Sequence, residues 1–98
     1  MKIVKPAVAG TLESSDLLVK VSPGDGSVID IVIRSAVEKR FGKQIRETVS
    51  KTLETFLVSS VSIEIEDKGA LDCVIKARVQ AAILRGAEAP EVPMEKLS

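Results

Sequence analysis

Histidine, tryptophan and tyrosine are absent from this chain of 98 residues, and phenylalanine occurs only twice. Without histidine, no side chain has an ordinary pKa near neutrality, so the most frequent general base and metal ligand are both missing. Two phenylalanines are too few for an aromatic platform that stacks nucleic-acid bases. These absences argue against a self-sufficient enzyme, a zinc protein and a base-stacking protein.

Cysteine, surplus charge and long apolar runs are also scarce. A single cysteine cannot form an internal disulfide, which is typical of a reducing cytoplasm. Fourteen basic residues balance fourteen acidic ones, so the chain lacks the basic surplus that binds nucleic acid or anionic membranes. No apolar stretch approaches the roughly 20 residues that span a bilayer, and no targeting segment is predicted. We expect a small, soluble, cytoplasmic protein.

The first third of the sequence predicts three strands. Residues 3–12 are apolar and small, residues 13–16 form a polar turn, and residues 17–22 alternate between apolar and polar. This pattern is typical of a β-hairpin. Residues 23–27, Pro-Gly-Asp-Gly-Ser, are a strong turn signal, and the isoleucines of 29–34 recur at every second position. The three segments therefore predict an antiparallel meander.

A long amphipathic helix is predicted over residues 36–57. Ser35 is its candidate N-cap, and Glu38 completes a capping box. Gly42 lies inside the helix and costs about 1 kcal/mol relative to alanine. An apolar stripe at helical spacing faces a core; its members are Val37, Phe41, Ile45, Val49, Leu53 and Phe56.

The remaining sequence predicts a strand, a second helix and a tail. Residues 61–66 alternate, with one face solvated, and residues 67–69 turn the chain. Residues 70–85 form the second helix, which Gly86 suits as an end. Residues 87–98, with two prolines, are predicted as a flexible C-terminal tail.

The fold class predicted from these elements is α+β, in the order β-β-β-α-β-α. One mostly antiparallel sheet of about four strands carries two helices on its apolar face. Residues 1–86 form a single domain. The alternation does not determine whether the strand 61–66 lies at an edge or inside the sheet.

Few residues suggest chemistry of their own. Glu64, Glu66 and Asp67 provide paired carboxylates, but Glu64 and Glu66 fall on the polar face of a strand, and a solvated face explains them better. Cys73 has no histidine to activate it and is expected to be a small packed thiol. The glycines of 23–27 lack the ending of a phosphate-binding loop and precede a strand. The turn at 13–16 would expose a serine hydroxyl, although chemistry alone identifies it only as a hairpin tip.

Three blocks of sequence are similar to the acyl carrier proteins of citrate lyase, the γ subunits of that complex. They are residues 6–16 (PAVAGTLESSD), residues 35–39 (SAVEK) and residues 67–73 (DKGALDC), the last followed by Ala77-Arg78. The resemblance extends over residues 1–86 in the same order and at similar spacing. It implies a carrier without catalytic residues of its own.

The resemblance implies a cofactor and its attachment site. The group is 2'-(5''-phosphoribosyl)-3'-dephospho-CoA, joined by a phosphodiester to a serine. The motif places that serine at Ser14, with Ser15 as the adjacent alternative. The thiol of this arm would carry acetyl and citryl thioesters, so the cofactor supplies the reactive atom and the protein supplies attachment and delivery.

Partner subunits are implied in the same way. A citrate lyase α subunit, an acyl transferase, exchanges acetyl for citryl on the thiol. A β subunit, a citryl lyase, cleaves the citryl thioester to oxaloacetate and acetyl thioester, and a prosthetic-group transferase attaches the arm. No nucleic acid or membrane partner is expected. The alternatives are the small subunit of malonate decarboxylase and a structural or interaction subunit without cofactor.

The resemblance also suggests how the turn is recognised. The helical carriers of fatty-acid synthesis place their serine at the start of a helix, whereas the strands here predict a serine at a hairpin turn. Glu13 and Asp16 flank Ser14. We expect both carboxylates to help basic partners recognise the tip.

Overall fold

The computed structural model describes residues 1–35 and 42–87, and its elements follow the predicted order. The predicted α+β class, with a four-stranded, mostly antiparallel sheet and two helices, is confirmed. The strands are β1 (Ala7–Gly10), β2 (Leu17–Pro23), β3 (Ile29–Ser35) and β4 (Val61–Asp67), and the helices are α1 (Gly42–Thr55) and α2 (Asp72–Ala87).

The strands lie in the order β1-β2-β4-β3. Strand β2 is antiparallel to both β1 and β4, whereas β3 is parallel to β4. The position of β4, which the sequence leaves open, is therefore inside the sheet. The predicted meander is wrong at its third strand, because β4 separates β3 from β2.

The link between β2 and β3 shows how the chain crosses β4. Gly24 lies so close to Ser60 and Val61 that a Cβ atom would collide with both. Val28 accepts a hydrogen bond of 3.1 Å from the Val61 amide. The turn that the sequence predicts is present, but it passes the beginning of β4 before β3 starts. Alternation of side chains determines which face is buried and not which strand is the neighbour.

One face of the sheet forms the core with both helices. Ala9, Val19, Ile65 and Ile33 lie in one row across the four strands. The residues of β2 and β4 predicted to face inward are buried, while Glu64 on the opposite face is exposed. The helices complete this core with Ile45, Val49, Leu53, Ile75, Val79, Ala82 and Ile83.

Two predicted segments lie outside the described residues. One is 36–41, which contains the capping residue Glu38 and the stripe residues Val37 and Phe41. The other is 88–98, nearly all of the predicted tail. These predictions stay predictions.

Helix α1 ends two residues before the predicted boundary. Leu57 adopts a φ of 56°, a left-handed conformation that stops the helix. Its amide donates to Glu54, and the Val58 amide donates to Leu53. This pair of bonds is a Schellman motif, and it satisfies carbonyls that the helix end would otherwise leave open.

Helix α2 extends beyond the predicted end, and Gly86 lies in its last turn. A Cβ atom there would come within 3.1 Å of Val21 and 3.2 Å of Ile3. Glycine thus permits close packing of the helix end on the sheet. Neither described helix has the length and apolarity of a membrane span.

Candidate functional site

The β1–β2 turn, residues 11–16, places Ser14 at the tip of the hairpin. A backbone hydrogen bond of 3.2 Å from Thr11 to Leu17 closes the turn at its base. Ser14 is exposed, and its hydroxyl has no hydrogen-bond partner in the described part of the chain. The hydroxyl can therefore be reached from solvent without breaking a contact.

Asp16 holds the turn together from inside. Its carboxylate accepts hydrogen bonds from the Thr11 hydroxyl at 2.6 Å and from the Leu17 amide at 2.8 Å. Arg78 of α2 donates to both of its oxygens, from Nε at 3.1 Å and from a terminal nitrogen at 3.0 Å. A bidentate arginine–carboxylate pair of this kind fixes the orientation of the two side chains as well as the distance between them. Arg78 thereby connects the turn to α2, across 62 residues of sequence.

A second connection runs from the turn to the loop after β4. The Ser15 amide donates to the Lys68 carbonyl and the Lys68 amide donates to the Asp16 carbonyl, each at 2.9 Å. Ser15 has a φ of 65°, in the left-handed region that serine rarely occupies. The backbone of Ser15 is thus fixed against the loop, while Ser14 lies beyond the last of these contacts.

The supporting loop is itself organised by Asp67, which is only 2% exposed. One carboxylate oxygen accepts the amides of Gly69 and Ala70, at 3.2 and 2.9 Å. The other accepts the Ser35 hydroxyl at 2.9 Å. Because Ser15 and Asp16 are hydrogen-bonded to Lys68, two blocks of the resemblance, residues 6–16 and 67–73, contact each other. Arg78 and residues 67–73 take part in the resemblance, but the sequence alone indicates no role for them.

The two acidic neighbours of Ser14 have different roles. The Asp16 carboxylate is hydrogen-bonded to Thr11 and ion-paired with Arg78, and its side chain is only 14% exposed. Glu13 is exposed to solvent. The expectation that both carboxylates are presented to partners is therefore wrong for Asp16, because an internal cation neutralises its charge. Recognition of the tip by a basic partner would depend on Glu13.

Asp16 makes the turn sensitive to acid. The Thr11 hydroxyl, then Arg78, then the Leu17 amide lower the pKa of Asp16 from 3.8 to about 2. Because the folded-state pKa lies below the ordinary value, the stabilisation is complete above pH 3.8 and is lost as the pH falls through about 2. We expect Asp16→Asn to remove this contribution.

Melting temperatures between pH 5 and pH 2 test this expectation. The wild-type chain should exceed Asp16→Asn at pH 5, and the gap should close between about pH 4 and pH 2. Glu13→Gln, an exposed carboxylate in the same turn, serves as the control and should follow the wild-type profile. A gap of constant size across this range would contradict the role of Asp16.

The other candidate residues do not assemble into a site. Glu64 is exposed and Glu66 half-exposed on the open face of the sheet, as a solvated face requires. Cys73 is exposed in the first turn of α2, so the prediction of a packed thiol is wrong. It precedes the first buried position of the helix, Ile75, and faces solvent. In residues 1–35 and 42–87, no three acidic or cysteine side chains lie close enough together to hold a metal ion.

Comparison with known proteins identifies the class first. The family model of the malonate decarboxylase delta subunit, an acyl carrier protein, matches residues 4–86. The structure also resembles a chain in a crystal structure of a Pseudomonas malonate decarboxylase hetero-tetramer in complex with malonate. The TM-score is 0.72 over 87% of this chain and 91% of that one, at 20% identity. That likeness shows a shared fold, and the fold and the family match together define a small acyl carrier protein.

Closer relatives specify the family. The citrate lyase acyl carrier protein of Enterobacter sp. (strain 638) is 55% identical over 98 residues and 100% of both chains. Its counterpart from Pectobacterium atrosepticum is 55% identical over 99% of this chain and 100% of its own length. That of Vibrio cholerae (strain O395) is 51% identical over the full length of both. The chain belongs to the citrate lyase acyl carrier proteins, a family of carrier rather than catalytic subunits.

Proposed function

We propose that the chain carries acetyl and citryl groups for citrate lyase on a phosphoribosyl-dephospho-CoA arm attached to Ser14. The observation that carries the proposal is the position of Ser14, beyond a turn fixed by Asp16, Arg78 and Lys68. Its hydroxyl is exposed and has no hydrogen-bond partner among residues 1–35 and 42–87. A hydroxyl at such a tip can enter the active site of a modifying enzyme while the domain stays folded.

The exposed turn also fits the chemistry of attachment. Ser14 Oγ would form a phosphodiester by displacing the leaving group of a phosphoanhydride donor, and a base of the transferase would take the hydroxyl proton. The bound arm would supply a terminal thiol on which acyl groups travel as thioesters. Since Asp16 is paired with Arg78, Glu13 is the flanking carboxylate whose charge would oppose the incoming phosphate.

The partners follow from this role. We propose that the turn is presented in succession to an α subunit that exchanges acetyl for citryl and to a β subunit that cleaves the citryl thioester, after a prosthetic-group transferase has acted. These encounters would occur in the cytoplasm. Tethering raises the effective concentration of the acyl group at both partner active sites.

Mass spectrometry of the complex purified from its native organism tests the attachment. Trypsin does not cleave between Lys5 and Pro6, so residues 3–20 form one peptide that contains both Ser14 and Ser15. We expect this peptide to carry the mass of the arm, and fragment ions to place the arm on Ser14. An active complex in which neither serine is modified would overturn the proposal, and modification of Ser15 alone would overturn the assignment.

A further inference from the structure

The outer edge of β3 is the longest open strand edge in the described structure. The Val28 carbonyl accepts the Val61 amide of β4, so the backbone groups of even-numbered residues in β3 face β4. Since these groups alternate in direction along a strand, those of Ile29, Ile31 and Ile33 face away from the sheet. No described strand lies beyond them. We call this row of backbone groups the β3 edge.

The opposite edge of the sheet is covered, whereas no described strand or loop covers the β3 edge. Strand β1 has only four residues and follows Pro6. Arg85 donates a hydrogen bond of 2.7 Å to the outward carbonyl of Val8, and the amides of Val4 and Lys5 donate to α2. Short, covered strands of this kind prevent pairing with other chains.

Strand β3, by contrast, has seven residues, most of them β-branched. In the described structure, the side-chain hydrogen bond to the outward groups of Ile29, Ile31 and Ile33 is one of 3.3 Å from Arg46 to the Ile31 carbonyl. That distance lies beyond the usual range, and Arg46 is exposed, so the bond is weak and easily exchanged. Ile31 and Ile33 are only partly buried, and Val32 is 38% exposed. The edge therefore offers both hydrogen-bonding groups and apolar surface.

The sequence of β3 indicates what occupies this edge. Val32 is the middle residue of the strand, and Asp30 and Arg34 lie two positions to either side of it, on the same open face. If two copies of β3 pair antiparallel about Val32, each Asp30 lies directly opposite Arg34 of the other copy. Ile31 then lies opposite Ile33, and both strands overlap over their whole length.

Other registers lose this match. Shifting the pairing by two residues in one direction places Asp30 opposite Val32, and a further shift places Asp30 opposite Asp30. Opposite charges and β-branched pairs stabilise neighbouring strands, whereas like charges destabilise them. We propose that the β3 edge pairs antiparallel with β3 of a second copy of this chain, joining the two sheets into one of eight strands.

The dimer is independent of the carrier function and compatible with it. The β1–β2 turn lies at the Ser35 end of β3, because Leu17, Asp67 and Ser35 share one row of the sheet. Antiparallel pairing therefore sends the two Ser14 residues to opposite ends of the joined sheet. A single strand pair buries less than the roughly 1,200 Å² of a stable interface, so the dimer is weak and depends on concentration.

Sedimentation equilibrium of the full chain tests the proposal. Between about 10 µM and 1 mM, the wild-type mass should rise from monomer towards dimer. Asp30→Arg places two arginine pairs in contact and should raise the dissociation constant by about tenfold or more. Glu13→Arg makes a comparable charge reversal two strands away from β3 and should leave the dissociation constant unchanged.

Two rescue experiments separate this interface from a folding defect. Arg34→Asp should raise the dissociation constant in the same way as Asp30→Arg. A mixture of the two variant chains should dimerise like the wild type, because every facing pair then regains opposite charges. The double variant should recover the wild-type constant. In the wild type, the amides of Ile29, Ile31 and Ile33 should exchange more slowly with solvent as the concentration rises. A monomer throughout the range, or dimers that Asp30→Arg leaves unchanged, would overturn the proposal.

Discussion

Replacing Ser14 by alanine is expected to abolish carrier function while leaving the domain folded. Without Oγ the arm has no attachment point, so citrate cleavage by the reconstituted complex should fall to background. Ser14 is exposed and its hydroxyl has no partner in the described structure, so the free energy of unfolding should change by no more than about 0.5 kcal/mol. Oxaloacetate formation and a thermal melt of the same preparation measure the two effects.

Ser15→Gly is the matched control for this experiment. It removes the neighbouring hydroxyl at a position whose φ of 65° glycine adopts without strain. We expect this variant to accept the arm and to support citrate cleavage. If Ser14→Ala supported normal citrate cleavage, and if citrate cleavage were lost only in Ser15→Gly, the attachment site would be Ser15.

Ile63→Asp should unfold the domain. Ile63 is fully buried in β4, between Val21 of β2 and Ile31 of β3. The substitution forfeits about 1.5–3 kcal/mol of apolar burial and also buries an unpaired carboxylate. Together these losses consume most of the roughly 5–15 kcal/mol that stabilises a domain. Loss of the circular dichroism signal and of the dispersion of amide resonances should report the unfolding.

Val8→Asp makes a comparable change on the other face of the sheet. Val8 is 48% exposed and lies opposite Lys20, so an aspartate there stays solvated beside a cation. This variant should keep its fold and lose about 1 kcal/mol at most. If both variants unfolded, or if Ile63→Asp melted like the wild type, the assignment of the buried face would be wrong.

The alternation of side chains was sufficient to predict the strands and their faces. In β4, Val61 and Ile65 are buried and Glu64 is exposed, as a period of two requires. The stripe of α1 was equally predictable over its described part, where Ile45 and Val49 are buried. These patterns are local because each follows from the geometry of a single helix or strand.

The site was predictable in part for the same reason. Ser14 follows from a polar turn between two apolar segments, together with the resemblance of residues 6–16 to a known family. The exposure of Cys73 does not follow from the sequence, because the packing of a single cysteine depends on which side of the helix meets the sheet. The role of Asp16 does not follow from the sequence either, because its partner, Arg78, is remote along the chain.

The sequence by itself determined the order of the elements, the faces of the strands and the position of Ser14 in a turn. Only the tertiary structure decided that β4 enters between β2 and β3, and that Arg78 and Lys68 support the turn. Strand neighbours and a salt bridge across 62 residues depend on how distant segments meet. Such contacts form only when the whole core closes, and no local period of the sequence records them.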